Sequence, residues 1–279
     1  MGLLGSSVTL SILRAFPATI VSGYSHREST RQKAREQNVA TVIDDTIEAS
    51  VTNSDIVILA TPIRTFEGLF GEIKPFCKKG CIVTDVGSTK TLVHRWARKV
   101  FKKDVYYVGS HPIAGSEKRG VEYARDDLLN GARCIITREE KTHAASVKVL
   151  NRFWTALGCK VRILTPAEHD RIFGMVSHLP HITAASLINA CDDEDMKSAG
   201  KGFMDTSRVA SGPANIWTDI LMTNAGQTSR GIGRLIRQLE KLKAAIDAGD
   251  EKQIEKYLEQ AWSKRESLIQ HKIDQEELF

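Results

Sequence analysis

The sequence predicts an α/β protein in two parts: a doubly wound, parallel sheet over residues 1–165, then an all-α domain over residues 166–279. Three observations carry this. Short β-branched and aliphatic runs alternate with helical segments as far as residue 164, strand patterns then cease, and two glycines stand just before the first helix. At roughly 150 residues per domain the length fits two domains, and 42% hydrophobic residues supply two ordinary cores.

Residues 6–16 read as a helix stopped by Pro17, and residues 18–24 as a short strand of β-branched residues. Residues 29–37 follow as a polar helix. Residues 55–60, 81–86 and 105–110 are buried parallel strands, and 133–137 and 160–164 flank a helix running from about 141 to 157. Ligands of such a sheet bind beyond the carboxyl ends of its strands, where every polar cluster here falls. From Pro166 onward the pattern is helical. Leu235, Leu239, Leu242, Ile246, Ile254, Leu258 and Leu268 recur at helical spacing in the last stretch, so a homodimer interface is expected there. Without repeats or low-complexity linkers, the two domains are expected to meet across a packed cleft that holds the active site.

Charge excludes little: 39 Lys+Arg against 34 Asp+Glu leave +5, which forces neither a nucleic-acid nor a membrane partner but suits anionic small molecules. Cys77, Cys81, Cys134, Cys159 and Cys191 form no C-x-x-C pair, and an odd number suits a reducing compartment, so a cytoplasmic location is expected. No apolar window is long enough for a membrane-spanning helix. The first six residues fit a myristoylation pattern, and the apolar stretch to Phe16 imitates a signal peptide. Arg14, the only early cation, lies inside that stretch rather than ahead of it, and both matches are read as coincidence.

Gly2, Leu4 and Gly5 resemble the second half of a G-x-G-x-x-G dinucleotide fingerprint, in which glycines let the backbone approach a pyrophosphate at a helix N-terminus. A flexible tail is the bland alternative, and the helix, strand and polar turn that follow in the order of a Rossmann-type crevice count against it. The first glycine and first strand of that unit would precede Met1. The sheet is therefore expected to lack its central strand, leaving two interior edges unpaired, and the natural reading frame to start upstream. After the second strand, Ser25, His26 and Arg27 occupy the place where an NAD enzyme carries a carboxylate for the ribose 2′-hydroxyl. A hydroxyl and two cationic groups favour a 2′-phosphate, hence NADP, with NAD the alternative. Thr61, Pro62, Asp85 and Gly87, at later strand ends, complete the expected cofactor-binding set.

The segments D-V-G-S-T-K at 85–90 and G-S-H-P-I-A-G-S-E at 109–117 resemble motifs of the prephenate and arogenate dehydrogenases. A-E-H-D-R at 167–171, S-H-L-P-H at 177–181, G-K-G-F-M-D-T-S-R at 200–208 and I-W at 216–217 resemble that family's helical motifs in order and spacing. The resemblance runs from Gly2 to Trp217. It implies oxidative decarboxylation of prephenate to 4-hydroxyphenylpyruvate, or of arogenate to tyrosine, with hydride passing to nicotinamide. By the same resemblance His111 accepts a hydrogen bond from the ring hydroxyl, a task for a neutral imidazole, and Ser88 is a second partner that also suits a helix N-cap. Arg208 corresponds to the substrate-carboxylate clamp, with Asp205 able to orient it. His181, His169 and Trp217 correspond to further substrate-site residues.

His169, His178 and His181 also raise a metal site, which is rejected: no H-E-x-x-H pairing or nearby cysteine is present, and this hydride transfer needs no Lewis acid. His178 is expected to cap or pack. This chain departs from the family pattern at Lys201, where glycine is usual, and at Gly212, where aspartate usually precedes proline. A lysine there suits the side-chain carboxylate of prephenate better than the ammonium of arogenate. The rivals are a β-hydroxy acid dehydrogenase, an NADP-sensing module without activity and a weak nucleic-acid binder. The histidine-centred motif and the lack of a basic stripe with interleaved aromatics count against them.

Overall fold

The structure, a computed structural model, describes residues 1–114 and 120–275. It divides into two compact units, Met1–Gln227 and Thr228–Phe279. In the first, α1 (Leu3–Ala15), β1 (Ser22–Gly23), α2 (Glu28–Glu36), β2 (Val42–Ile43), α3 (Ile47–Val51) and β3 (Ile56–Leu59) follow one another. Next come α4 (Phe66–Ile73), β4 (Ile82–Asp85), α5 (Thr91–Val100), β5 (Tyr106–Tyr107), β6 (Gly109–Ile113), β7 (Arg133–Thr137), α6 (Ala144–Ala156) and β8 (Lys160–Leu164). The helical part begins with α7 (Pro166–Phe173), a π turn (Gly174–His178), α8 (Leu179–Asn189), α9 (Asp193–Met196), α10 (Lys201–Ser207) and α11 (Ala214–Thr223). α12 (Ala225–Asp247) runs on into the second unit, where Gly249 (φ +63) turns the chain and the Asp250 carboxylate caps α13 (Glu251–Asp274).

β1 pairs parallel with β2, and β3, β4 and β5 form a parallel ladder with Leu59 opposite Asp85. Among the described residues β1 is bonded only to β2 and β3 only to β4. One expectation is corrected. β7 runs antiparallel to β6, with His111 opposite Ile135, and β8 runs parallel to β7. Between β6 and β7 no crossover helix of the kind a parallel return requires is found among the described residues, only a single 3-10 turn at Val121–Tyr123. α6 supplies such a crossover between β7 and β8. The expected strand at 105–110 is also interrupted: Val108 still donates to the Val83 carbonyl (3.0 Å), and past it the chain leaves β4 for β7.

Alternation along β4 builds two apolar layers. Ile82 and Val86 pack with Val8 and Ile12 of α1 and Leu150 and Trp154 of α6, whereas Val83 packs with Phe66 and Phe70 of α4 and Val93 and Trp96 of α5. The same alternation aims β6. Ser110 faces α6, where its hydroxyl receives the Trp154 indole N–H (2.9 Å) and bonds the Thr84 hydroxyl (2.8 Å), so His111 faces the opposite side.

α1 fits against β3 because Gly5 has no side chain: a Cβ there would lie 3.1 Å from the Ala60 Cβ. Gly5→Val is therefore expected to destabilise the protein by about 1–3 kcal/mol through overpacking. A urea midpoint equal to wild type would show that helix and strand are free to separate.

Candidate active site

His111, on β6, is buried and its Nδ1 lies 2.9 Å from Nε2 of His169 on α7. His169 Nδ1 in turn lies 2.8 Å from Oδ1 of Asp170. The Asp170 carboxylate takes up the start of α5, accepting the Lys90 amide on Oδ1 (2.8 Å) and the Thr91 amide on Oδ2 (2.8 Å). Ser88 is thus not the cap of α5, contrary to its expected second role; an acidic residue from a distant helix fills that place. Ser88 itself is half-buried on the turn that precedes α5.

These contacts fix the proton positions. An ionised carboxylate only accepts, so His169 donates from Nδ1 and presents a lone pair at Nε2, which obliges His111 to donate from Nδ1. His111 Nε2 is left as an acceptor. Burial, then the proximity of His169 and Lys90, holds the His111 pKa well below 6.5. Burial also lowers His169, opposed by its bond to Asp170. For Asp170 burial acts upward, yet the bonds from His169 and Thr91 outweigh it and keep the pKa below the ordinary carboxylate value. Phe173 packs beside both rings, at 5.0 Å from His111 and 4.5 Å from His169.

A second buried network shapes the turn that carries Gly87 and Ser88. Lys90 Nζ, fully buried, donates to Asp85 Oδ1 (2.7 Å) and to the Gly87 carbonyl (2.6 Å). Asp85 also accepts the Gly87 amide (2.8 Å) and the Tyr107 hydroxyl (2.6 Å). Asp85 and Gly87 thus sit at the end of β4 as expected, but the Asp85 carboxylate is committed to internal partners.

Farther along the helical part, His181 stacks flat on Trp217 with ring centroids 3.5 Å apart. Gly212 makes room for that pair, since a Cβ there would fall 2.1 Å from the Trp217 indole nitrogen. His178 approaches Trp217 edge-on and bonds the Asn224 amide. Arg208 is exposed just after α10. Lys201, at the start of that helix with its side chain 88% exposed, bonds Asp205 at 2.9 Å, so the carboxylate expected to orient Arg208 is engaged by Lys201. Of the family-like S-H-P-I-A-G-S-E segment, residues 115–117 lie outside the described residues.

At the strand ends, Gly2 is the extended N-cap of α1, and nothing lies within 4 Å of where its Cβ would be. Open space over a helix N-terminus with unbonded first-turn amides fits a pyrophosphate, and the tight Gly5–Ala60 approach fits the same crevice. Leu4 lies in that first turn. Ser25 is buried and His26 and Arg27 are exposed, on a turn whose carbonyls at Ser25 and His26 receive the Arg31 guanidinium (2.7 and 3.3 Å). Thr61 bonds Thr65 beside Pro62 at the end of β3 (2.7 Å). Sequence reasoning gave no role to Asp170, Lys90 or Asn224. Asp170 stands beside His169 in a quoted motif, but its partners lie 79 and 80 positions away, and nothing local marks Asn224.

A nucleotide-binding layer whose strand ends adjoin a neutral histidine relay defines an NAD(P)-dependent oxidoreductase. Residues 8–168 match the family description "Prephenate dehydrogenase, nucleotide-binding domain", and residues 165–260 match "Prephenate dehydrogenase, dimerization domain". The chain belongs to the prephenate dehydrogenase family. It is 33% identical to a prephenate dehydrogenase of Lactococcus lactis subsp. cremoris over 98% of this chain and 77% of that protein. Its fold is similar to the crystal structure of Aquifex aeolicus prephenate dehydrogenase in complex with hydroxyphenyl propionate and NAD+ (TM-score 0.89, 31% identity, 96% and 95% of the chains). It is also similar to Synechocystis arogenate dehydrogenase (TM-score 0.83, 28% identity, 96% and 97% of the chains).

Lys90→Met would strand the Asp85 charge in the interior, and a loss of about 3–5 kcal/mol in unfolding free energy is expected. Unfolding in urea at an unchanged midpoint would mean that Asp85 is solvated after all.

Proposed function

We propose that this chain oxidatively decarboxylates prephenate to 4-hydroxyphenylpyruvate, with His111 Nε2 as the acceptor for the ring hydroxyl. The single observation that carries the role of His111 is the chain of bonds from Asp170 through His169, which leaves that nitrogen as an acceptor in a buried setting. Ser88, on the turn after β4, is a second partner for the same hydroxyl. Arg208 supplies a permanent charge for a substrate carboxylate, and His181 stacked on Trp217 forms a flat wall for the ring. Gly2, Leu4, Gly5, Thr61, Pro62, Asp85 and Gly87 would hold a nicotinamide dinucleotide, which would supply the hydride acceptor. As hydride leaves the carbon bearing the hydroxyl, the O–H proton moves toward His111 Nε2. Cleavage of the ring carbon–carboxylate bond releases carbon dioxide and returns an electron pair to the ring, and the proton goes back to the phenolate oxygen.

Lys201 stands on α10 where the family pattern has glycine, and an ammonium there, paired with Asp205, supports prephenate over arogenate. Ser25, His26 and Arg27 present no carboxylate, which supports NADP over NAD. The exposed row on α12 and α13, including Leu239, Ile246, Leu258 and Trp262, supports a homodimer. Among the described residues no helix is long and apolar enough to cross a membrane, and with five free cysteines this supports a cytoplasmic location.

Absorbance of the reduced cofactor, followed with prephenate or arogenate against NAD and NADP, tests the reading; no turnover of prephenate, or faster turnover of arogenate, would reject it. His111→Asn removes the Nε2 acceptor and should lower kcat roughly 100- to 10,000-fold with cofactor binding unchanged. Because the His111 pKa lies below 6.5, activity should hold as pH falls through 6.5 and decline only when the buried ring is protonated; a limb centred at or above 6.5 would contradict this. In light scattering, wild type should weigh as a dimer, and Trp262→Glu should shift it toward monomer.

A further inference from the structure

His178 has no part in the mechanism above, yet the chain is bent to bring it in. Nine residues of unbroken α-helix make about two and a half turns, which would put His178 on the far side from His169. The π turn at Gly174–His178 absorbs the extra residue and swings the ring round; His178 is 1% exposed and shares Asn224 with Asp170, the neighbour of His169.

Its proton position follows from Asn224. The Asn224 amide nitrogen donates to the Asp170 backbone carbonyl (2.8 Å), which fixes the amide with its N–H groups inward, and the same nitrogen meets His178 Nδ1 at 3.2 Å. His178 Nδ1 is therefore an acceptor, and the neutral ring carries its proton on Nε2. Burial lowers its pKa to about 4, consistent with that neutral form. Nε2 is fully buried and has no hydrogen-bond partner. Buried N–H groups rarely go without an acceptor, so this one marks a place where a ligand atom belongs.

We infer that His178 is a substrate-binding residue whose Nε2–H donates to a carboxylate oxygen of the substrate, an inference that rests on the reaction proposed above. Prephenate carries two carboxylates, one on the ring and one on the side chain, and Arg208 accounts for one. For a ring carboxylate, which leaves as carbon dioxide, an uncharged donor has the further merit of not anchoring a charge that the reaction must discharge.

Two substitutions separate this from a packing role. The amide nitrogen of glutamine reaches the position of imidazole Nε2, whereas that of asparagine reaches only Nδ1. His178→Asn should raise KM for prephenate roughly 10- to 100-fold, with kcat within about threefold of wild type and NADP affinity unchanged, while His178→Gln stays near wild type. Inhibition by 4-hydroxyphenylpyruvate, which keeps only the side-chain carboxylate, identifies the acceptor. Weakening in parallel with prephenate assigns the side chain, and weakening for prephenate alone assigns the ring carboxylate. Equal KM in all three proteins, or equal impairment of Asn and Gln variants, overturns the inference. A wild type that leaves prephenate untouched overturns it together with the proposed reaction, whereas failure of the Asn and Gln comparison in an active enzyme overturns this inference alone.

Discussion

The Asp170 carboxylate is where the two halves of the site are joined. It receives the Lys90 and Thr91 amides at the start of α5, where the helix dipole favours an anion, and the His169 N–H from its own helix. Three donors outweigh the cost of burying the charge, so the group stays ionised and can only accept. That restriction passes outward. One carboxylate decides which nitrogen of His169 carries a proton, and through it which nitrogen of His111 does not. The same bonds hold α7 against the nucleotide-binding layer, so the orientation of the relay and the docking of the helix have one cause.

Charge near the relay is confined to groups that are already paired. Lys90 and Asp85 neutralise each other in full burial, and Gly87 and Tyr107 supply the remaining bonds that an ion pair away from water requires. Their residual fields oppose each other at His169: Lys90 lowers its pKa, whereas Asp170 and Asp85 raise it. Desolvation then dominates, and the rings remain neutral. The low polarity that keeps His111 uncharged also strengthens any hydrogen bond it accepts.

Much of this was legible in the chain. Short β-branched and aliphatic runs gave β3, β4, β7 and β8 nearly to the residue, whereas His111, expected just past a strand ending at residue 110, lies inside β6. What failed had non-local causes. The direction of β7 depends on a connection in which no crossover helix is found among the described residues, which composition alone did not reveal. Ser88 is a reasonable N-cap by local rules, but α5 takes its cap from a residue 80 positions onward. Asn224 sits in a stretch with no distinguishing pattern, and only tertiary packing brings it to His178 and Asp170.

The relay also explains why its members come from different kinds of element. His111 belongs to a strand held by β7, and a strand fixes each side chain to one face with little latitude. A helix offers finer adjustment, because one inserted residue rotates everything beyond it. Between His169 and His181 the chain uses that freedom: a capping box at Thr165 and Glu168 anchors the start of α7, and the π turn resets the phase before α8 begins. An irregular turn weakens the backbone ladder of the helix, so it persists only where the side chains it places are held by something else. Here that support is the Asn224 bond to His178 and the flat stack of His181 on Trp217, both of which a regular helix would disrupt by turning those rings away.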